Sequence, residues 1–147
     1  MIRHNQLLKK IFDTQYFAVL NSVGSGQPYS NLIAFAVTDD WKSLVFVTER
    51  TTHKYQNIRE NERVALLLDN RTNQLSDIAD AIAITLIGTA REASDGRSGL
   101  RDIFLKRHPQ LEQFVNNPDN ALILVNIDEY IIAGFDETKC IIVSQQL

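Results

Sequence analysis

Residues 16–38, YFAVLNSVGSGQPYSNLIAFAVT, decide the architecture. Tyr16 to Val23 is rich in aromatic and branched side chains, the composition of a strand. Gly24-Ser25-Gly26-Gln27 is a turn, with glycines free to adopt positive φ. Tyr29 to Thr38 then reads as the returning strand of a hairpin.

The pattern extends in both directions. Upstream, Leu7, Leu8, Ile11 and Phe12 recur at helical spacing and predict a short helix over 5–13. Downstream, Asp39-Asp40-Trp41-Lys42 is a turn and Leu44 to Thr48 a third strand. A short helix over 53–60 precedes Arg63 to Asp69, a fourth strand apolar enough to suggest burial on both sides. Asn70 to Ser76 is a polar loop. Ala81 to Ala93 is a long fifth strand in which Gly88 marks a bulge or a barrel corner. Gly96 to His108 is a helix, and Pro109 suits the first turn of another. Strands at Ala121–Ala133 and Lys139–Ser144 close the chain. Strands dominate and short turns join several of them. The expected fold is mainly β, an antiparallel β-barrel with peripheral helices, in one domain over 1–147.

Composition narrows the function classes. The 147 residues carry a net charge of -3 without a dense basic block, which disfavours nucleic acid as a partner. No apolar run is long enough to span a bilayer, and residues 1–10 lack a secretory pattern, so a cytoplasmic location is expected. Cys140 is the only cysteine, and its apolar neighbours Ile141, Ile142 and Val143 suggest a buried thiol. No metal site is assigned.

The chemistry concentrates at 47–58, VTERTTHKYQNI. A strand ends at Thr48 and a helix begins near His53, with Thr52 as a sound N-cap. Acidic residues are favoured in a first helical turn, yet this one has His53 and Lys54, with Arg50 just upstream. A bound anion reverses the sign of that mismatch. Free backbone N–H groups, threonine hydroxyls and cations make a phosphate cradle. The glycines of a Walker loop are absent.

Two other segments stand beside it. In Tyr29–Phe35, alternation puts Ser30, Leu32 and Ala34 on one side and Asn31, Ile33 and Phe35 on the other. Polar side chains at the start of that strand, or its backbone at an exposed edge, could read the ring heteroatoms of a flat ligand. Arg71, in the loop after the fourth strand, could reach an anion or a partner subunit.

These pieces resemble the pyridoxamine 5'-phosphate oxidase-like family of FMN-binding split barrels. The resemblance rests on GQPYS at 26–30, VFVT at 45–48, TTHKYQNI at 51–58, NERVALLLDNR at 61–71 and IGTAREA at 87–93. It implies a homodimer with FMN in clefts at the subunit interface. It places Ser30, Asn31, Leu32 and Ile33 along the flavin and Thr48 near its pyrimidine side. Thr52, His53 and Lys54 would hold the phosphate, and Arg71 would approach the flavin from either subunit. His53 stands where the family often has Arg. The ending from Gly134 to Leu147 lacks the family's basic and aromatic substrate segment, so the resemblance implies the cofactor better than the pyridoxal-phosphate-forming reaction. The leading expectation is an FMN-dependent oxidoreductase with a small-molecule substrate or an electron donor such as NADH or NADPH. No general acid, base or nucleophile is nominated. The alternatives are a flavin sensor or carrier without turnover, a haem protein and a deazaflavin reductase on the same fold.

Overall fold

Ser25 (φ 52°) and Gly26 (φ 76°) both occupy the left-handed region. A tight two-residue hairpin turn requires that pair. It joins β1 (Phe17–Gly24) to β2 (Gln27–Ala34), with Gly24 opposite Gln27. The computed structural model describes residues 2–94, 98–135 and 141–144. Gly96, Lys139 and Cys140, on which a helix start, a strand start and a buried thiol were expected, lie outside them.

The returning strand is not continuous to Thr38. It breaks at Phe35, and the next piece, β3 (Ala36–Val37), pairs with β4 (Ser43–Glu49), Ala36 opposite Val45. Phe35 is buried at the corner where the chain changes partner. Its carbonyl is 2.7 Å from Nε2 of the buried His108. The remaining strands are β5 (Arg63–Asp69), β6 (Ile82–Glu92), β7 (Asn120–Gly134) and β8 (Ile141–Ser144). The sheet order is β2-β1-β5-β6-β7-β4-β3, with β8 added beside β7. β2 and β3 are consecutive pieces of one stretch, so the two ends of that order meet and the sheet curls into a barrel. Closure is incomplete: β1 is the only strand paired with β2 among the described residues. The fold is a split barrel.

Leu20, Phe46, Leu66, Leu86 and Ile123 fill the barrel interior. A second cluster lies outside it, where Phe104 and Val115 cover Val45, Val47 and Leu124. Phe104 belongs to α4 (Ser98–Arg107), and Val115 to α5 (Glu112–Asn116), which follows a 3-10 turn at Pro109–Leu111. β5 is not buried on both sides. Val64, Leu66 and Leu68 are buried, whereas Ala65 and Leu67 are half-buried, because successive side chains face opposite sides of the sheet and no helix covers the outer one completely. After the polar loop comes α3 (Asp77–Asp80), a single turn the sequence reading did not separate. The Asp77 carboxylate accepts from the Thr72 and Asn73 amides and the Thr72 hydroxyl, bonds that hold its pKa below the usual carboxylate value.

Gly88 marks a bulge. The β6–β7 register shifts between Ile87 and Gly88. A Cβ at Gly88 would lie 2.0 Å from the Asn126 carbonyl oxygen.

The helix α1 (Ile2–Thr14) is tied down from α4. Arg107 Nη2 donates to the carbonyls of Phe12 (3.2 Å), Asp13 (2.8 Å) and Gln15 (3.0 Å), and the guanidinium lies 4.3 Å above the Tyr16 ring. These bonds satisfy carbonyls that a helix C-terminus leaves open. Arg107→Ala is expected to lower stability by about 2 kcal/mol, since hydrogen bonds to charged groups contribute about 1.5–3 kcal/mol. Urea unfolding reads that loss, and amide exchange should show α1 losing protection first.

Candidate cofactor site

β4 delivers Thr48 to the end of the barrel, where it is buried. β4 ends at Glu49, and after the three residues 50–52 the chain turns into α2 (His53–Glu60). Thr52 caps this helix with an extended backbone, and its Oγ1 accepts from the Tyr55 amide at 3.4 Å. The same oxygen is 2.8 Å from Thr48 Oγ1 and donates to the Glu49 carbonyl at 2.8 Å. Thr48 and Thr52, both expected at one site, are brought into hydroxyl contact by the fold.

The first turn of α2 has no acidic residue. Lys54 is half-buried there, and burial pushes its ammonium below the ordinary lysine pKa, with the Glu49 carboxylate pulling it partly back. His53 is exposed, and its ring lies 4.5 Å from that of Tyr29 with the planes 30° apart. That contact brings the first turn of α2 beside β2. From the other side, Asn57 is buried and donates to Ser22 Oγ at 3.1 Å, anchoring α2 on β1.

On β2, the two-residue turn makes Gly24 and Gln27 a hydrogen-bonded pair, so residues at that parity direct their backbone groups toward β1. The main-chain groups of Ser30 and Leu32 therefore face the unpaired edge. Ser30 Oγ donates to Asn21 Oδ1 at 2.5 Å. Leu32 is 69% exposed. Asn31 Nδ2 donates to the Leu32 carbonyl at 3.3 Å, while Asn31 Oδ1 is buried without a partner. The Ile33 side chain belongs to the barrel core, and its main chain has the parity that faces β1 rather than the free edge.

Arg71 is not gathered into this cluster within one protomer. Leu67 lies opposite Val19, whereas Tyr29 lies opposite Ser22, so β5 runs away from the cradle toward Arg71. At about 3.3 Å per residue the separation along the barrel is on the order of 20 Å. Arg71 Nε lies 3.3 Å from Asp69 Oδ1. Arg50 also leaves the expected cation group. Its guanidinium turns to Glu92 and the Pro118 carbonyl. Tyr29 and Glu92 were missed. Tyr29 shares its strand face with Asn31, a visible signal, whereas Glu92 gave none because its contacts are made across the sheet. A separate cavity of about 640 Å3, between α1, β3 and α4, is lined by residues such as Phe12, Trp41 and Lys106 and contains none of the expected site residues.

The sequence model of pyridoxamine 5'-phosphate oxidase matches residues 5–132. The chain belongs to the pyridoxamine 5'-phosphate oxidase family. Solved structures agree on the fold. General stress protein 26 from Bacillus anthracis is 23% identical, with 97% of this chain and 99% of that one covered and a TM-score of 0.75. An FAD-binding protein from Mesorhizobium loti is 18% identical over 87% of this chain and 90% of that one, with a TM-score of 0.70. A haem-binding protein from Mycobacterium smegmatis is 12% identical with a TM-score of 0.78; the match covers 91% of this chain and only 55% of that one. Comparison with curated proteins finds no match. At these identities the likeness establishes the split barrel and nothing finer. The structural neighbours that share this barrel include an FAD-binding and a haem-binding protein.

Proposed function

We propose that the chain binds FMN and, as a homodimer, works as a flavin-dependent oxidoreductase. The observation that carries this reading is Lys54, a half-buried ammonium in a first helical turn that contains no acid. Both its burial and the helix dipole disfavour the bare cation. A phosphate monoester relieves both, and Thr52, His53 and the first-turn amides are placed to share it.

The adjoining strand favours a flat heterocycle beyond that phosphate. The unpaired edge of β2 offers the Ser30 amide and carbonyl and the Leu32 amide, the Leu32 carbonyl already accepting from Asn31 Nδ2. Asn31 Oδ1 requires an N–H donor, which the pyrimidine part of a flavin has. Bound FMN supplies the electron-transfer chemistry, and a reduced nicotinamide nucleotide is the proposed donor. The chain's own residues hold the phosphate, orient the ring and limit water around it.

A second copy fits the exposed apolar side chains. Phe17, Leu32, Leu75, Ile78, Phe135 and Ile142 are each at least 60% exposed in the single chain. Leu75 and Ile78 flank the Asp77-bonded loop that carries Arg71, so a dimer is also the route by which Arg71 reaches a flavin. No helix among the described residues is long and apolar enough to cross a membrane, and the cytoplasm is the proposed location.

The haem-binding neighbour motivates a second reading, but the histidines support it less. His108 is buried against the Phe35 carbonyl and His53 packs on Tyr29. Titration of the purified protein with FMN and with riboflavin tests the proposal. FMN is expected to bind about tenfold or more tightly than riboflavin, the value of one good charge-assisted phosphate contact. Equal binding of the two, or a Soret band on adding haem with no flavin uptake, overturns it. Gel filtration tests the dimer, and anaerobic reduction by NADH or NADPH tests turnover.

A further inference from the structure

We infer that Arg50 is a positioning residue for the phosphate cradle rather than one of its cations. Its guanidinium holds the turn between β4 and α2 in the shape that presents Thr52 and Lys54. The inference rests on the FMN reading and deepens it.

The turn is braced from several directions. Arg50 Nε and Nη2 reach Glu92 Oε1 at 2.8 and 2.5 Å, at the end of β6. Arg50 Nη1 donates to the Pro118 carbonyl at 2.7 Å, in the turn that leads into β7. The other Glu92 oxygen accepts from the Tyr55 hydroxyl at 3.1 Å, and Tyr55 lies in the first turn of α2. Gln56 Nε2 returns to the Arg50 carbonyl at 3.1 Å. Glu92 therefore gathers two bonds from the turn and one from the helix that follows. That geometry sets the angle at which the α2 N-terminus meets the barrel.

Charge supports the same assignment. Glu92 neutralises Arg50, which leaves His53 and Lys54 as the basic side chains of the cradle. The pair is partly open to water, 41% and 35% exposed, so it adds little to overall stability. A phosphate contact depends steeply on distance, so a small shift of Thr52 or Lys54 weakens anion binding much more than it weakens the fold.

The test compares FMN and riboflavin affinity in wild type, Arg50→Ala and Arg50→Lys, with amide exchange of the apoproteins. Arg50→Ala is expected to weaken FMN binding about tenfold, as misplacing one charge-assisted contact made by Thr52 or Lys54 would. Riboflavin affinity and melting temperature should stay close to wild type. Arg50→Lys should recover only part of the loss, because one ammonium lacks the guanidinium fork that meets Glu92 and Pro118 together. In the apoprotein, amides from Thr52 to Tyr55 should exchange faster in Arg50→Ala. Unchanged preference for FMN over riboflavin in that variant, or equal losses for both ligands, overturns the inference. If wild type shows no such preference, the FMN reading falls by itself. Apoprotein exchange then decides the role of Arg50, and an unchanged rate from Thr52 to Tyr55 removes it.

Discussion

Lys54→Ala should raise the dissociation constant for FMN by about ten- to a hundredfold, the loss of a charge-assisted contact worth about 1.5–3 kcal/mol. The apoprotein of the variant should be no less stable than wild type. In the folded chain the ammonium is half-buried, and its pKa is lowered by burial more than Glu49 raises it. A lysine titrating lower when folded than when unfolded binds fewer protons in the native state, so its contribution to stability improves as pH rises. At neutral pH both states carry the proton and the burial penalty is fully present. Above the folded pKa the native side chain loses its proton and the penalty fades. The stability advantage of Lys54→Met over wild type should therefore be largest near neutrality and shrink toward alkaline pH, as thermal melts across that range would show. Calorimetry with FMN supplies the other half. Undiminished affinity in Lys54→Ala removes this side chain from the site, and a variant that melts much lower makes Lys54 structural.

Gly88→Ala is expected to destabilise the protein by about 3 kcal/mol, at the upper end of overpacking penalties. The new methyl would sit 2.0 Å from the Asn126 carbonyl oxygen, 3.0 Å from its carbonyl carbon and 3.3 Å from Ile127 Cα. All three are backbone atoms of the paired strand, so no side chain can swing aside. Relief requires separating β6 from β7 where the register changes. β7 also carries β4 along Ser43–Glu49, which delivers Thr48. Flavin affinity should therefore fall along with stability. Urea midpoints equal to wild type would show that the bulge can absorb a methyl group.

The difference between these two positions shows how far the sequence could be read. Thr52 and Lys54 were legible because a helix start has local rules, and a basic first turn breaks one of them. Gly88 was legible as a glycine inside a strand pattern. The break at Phe35 was not, since alternation continues smoothly through a strand that changes partner. Nor was the half-buried outer face of β5, whose apolar run looks the same whether both sides are covered or one. Arg50 was misgrouped because proximity in sequence put it beside His53, while its partners Glu92 and Pro118 come from distant strands and turns. Asn31 could be named as polar at a strand entry. That its oxygen would be left without a donor depends on where the split in the barrel falls.

An edge with spare amides invites company. The margin of β2 that faces away from β1 is a template on which a strand from another molecule can be laid down, as happens in sheet-to-sheet aggregation. Pro28 has no amide proton to offer, so it blunts the outer end of that template. Ser30 and Leu32 have no such protection. A ligand seated along that margin would cover the same groups, and its removal would leave them open to a neighbouring strand.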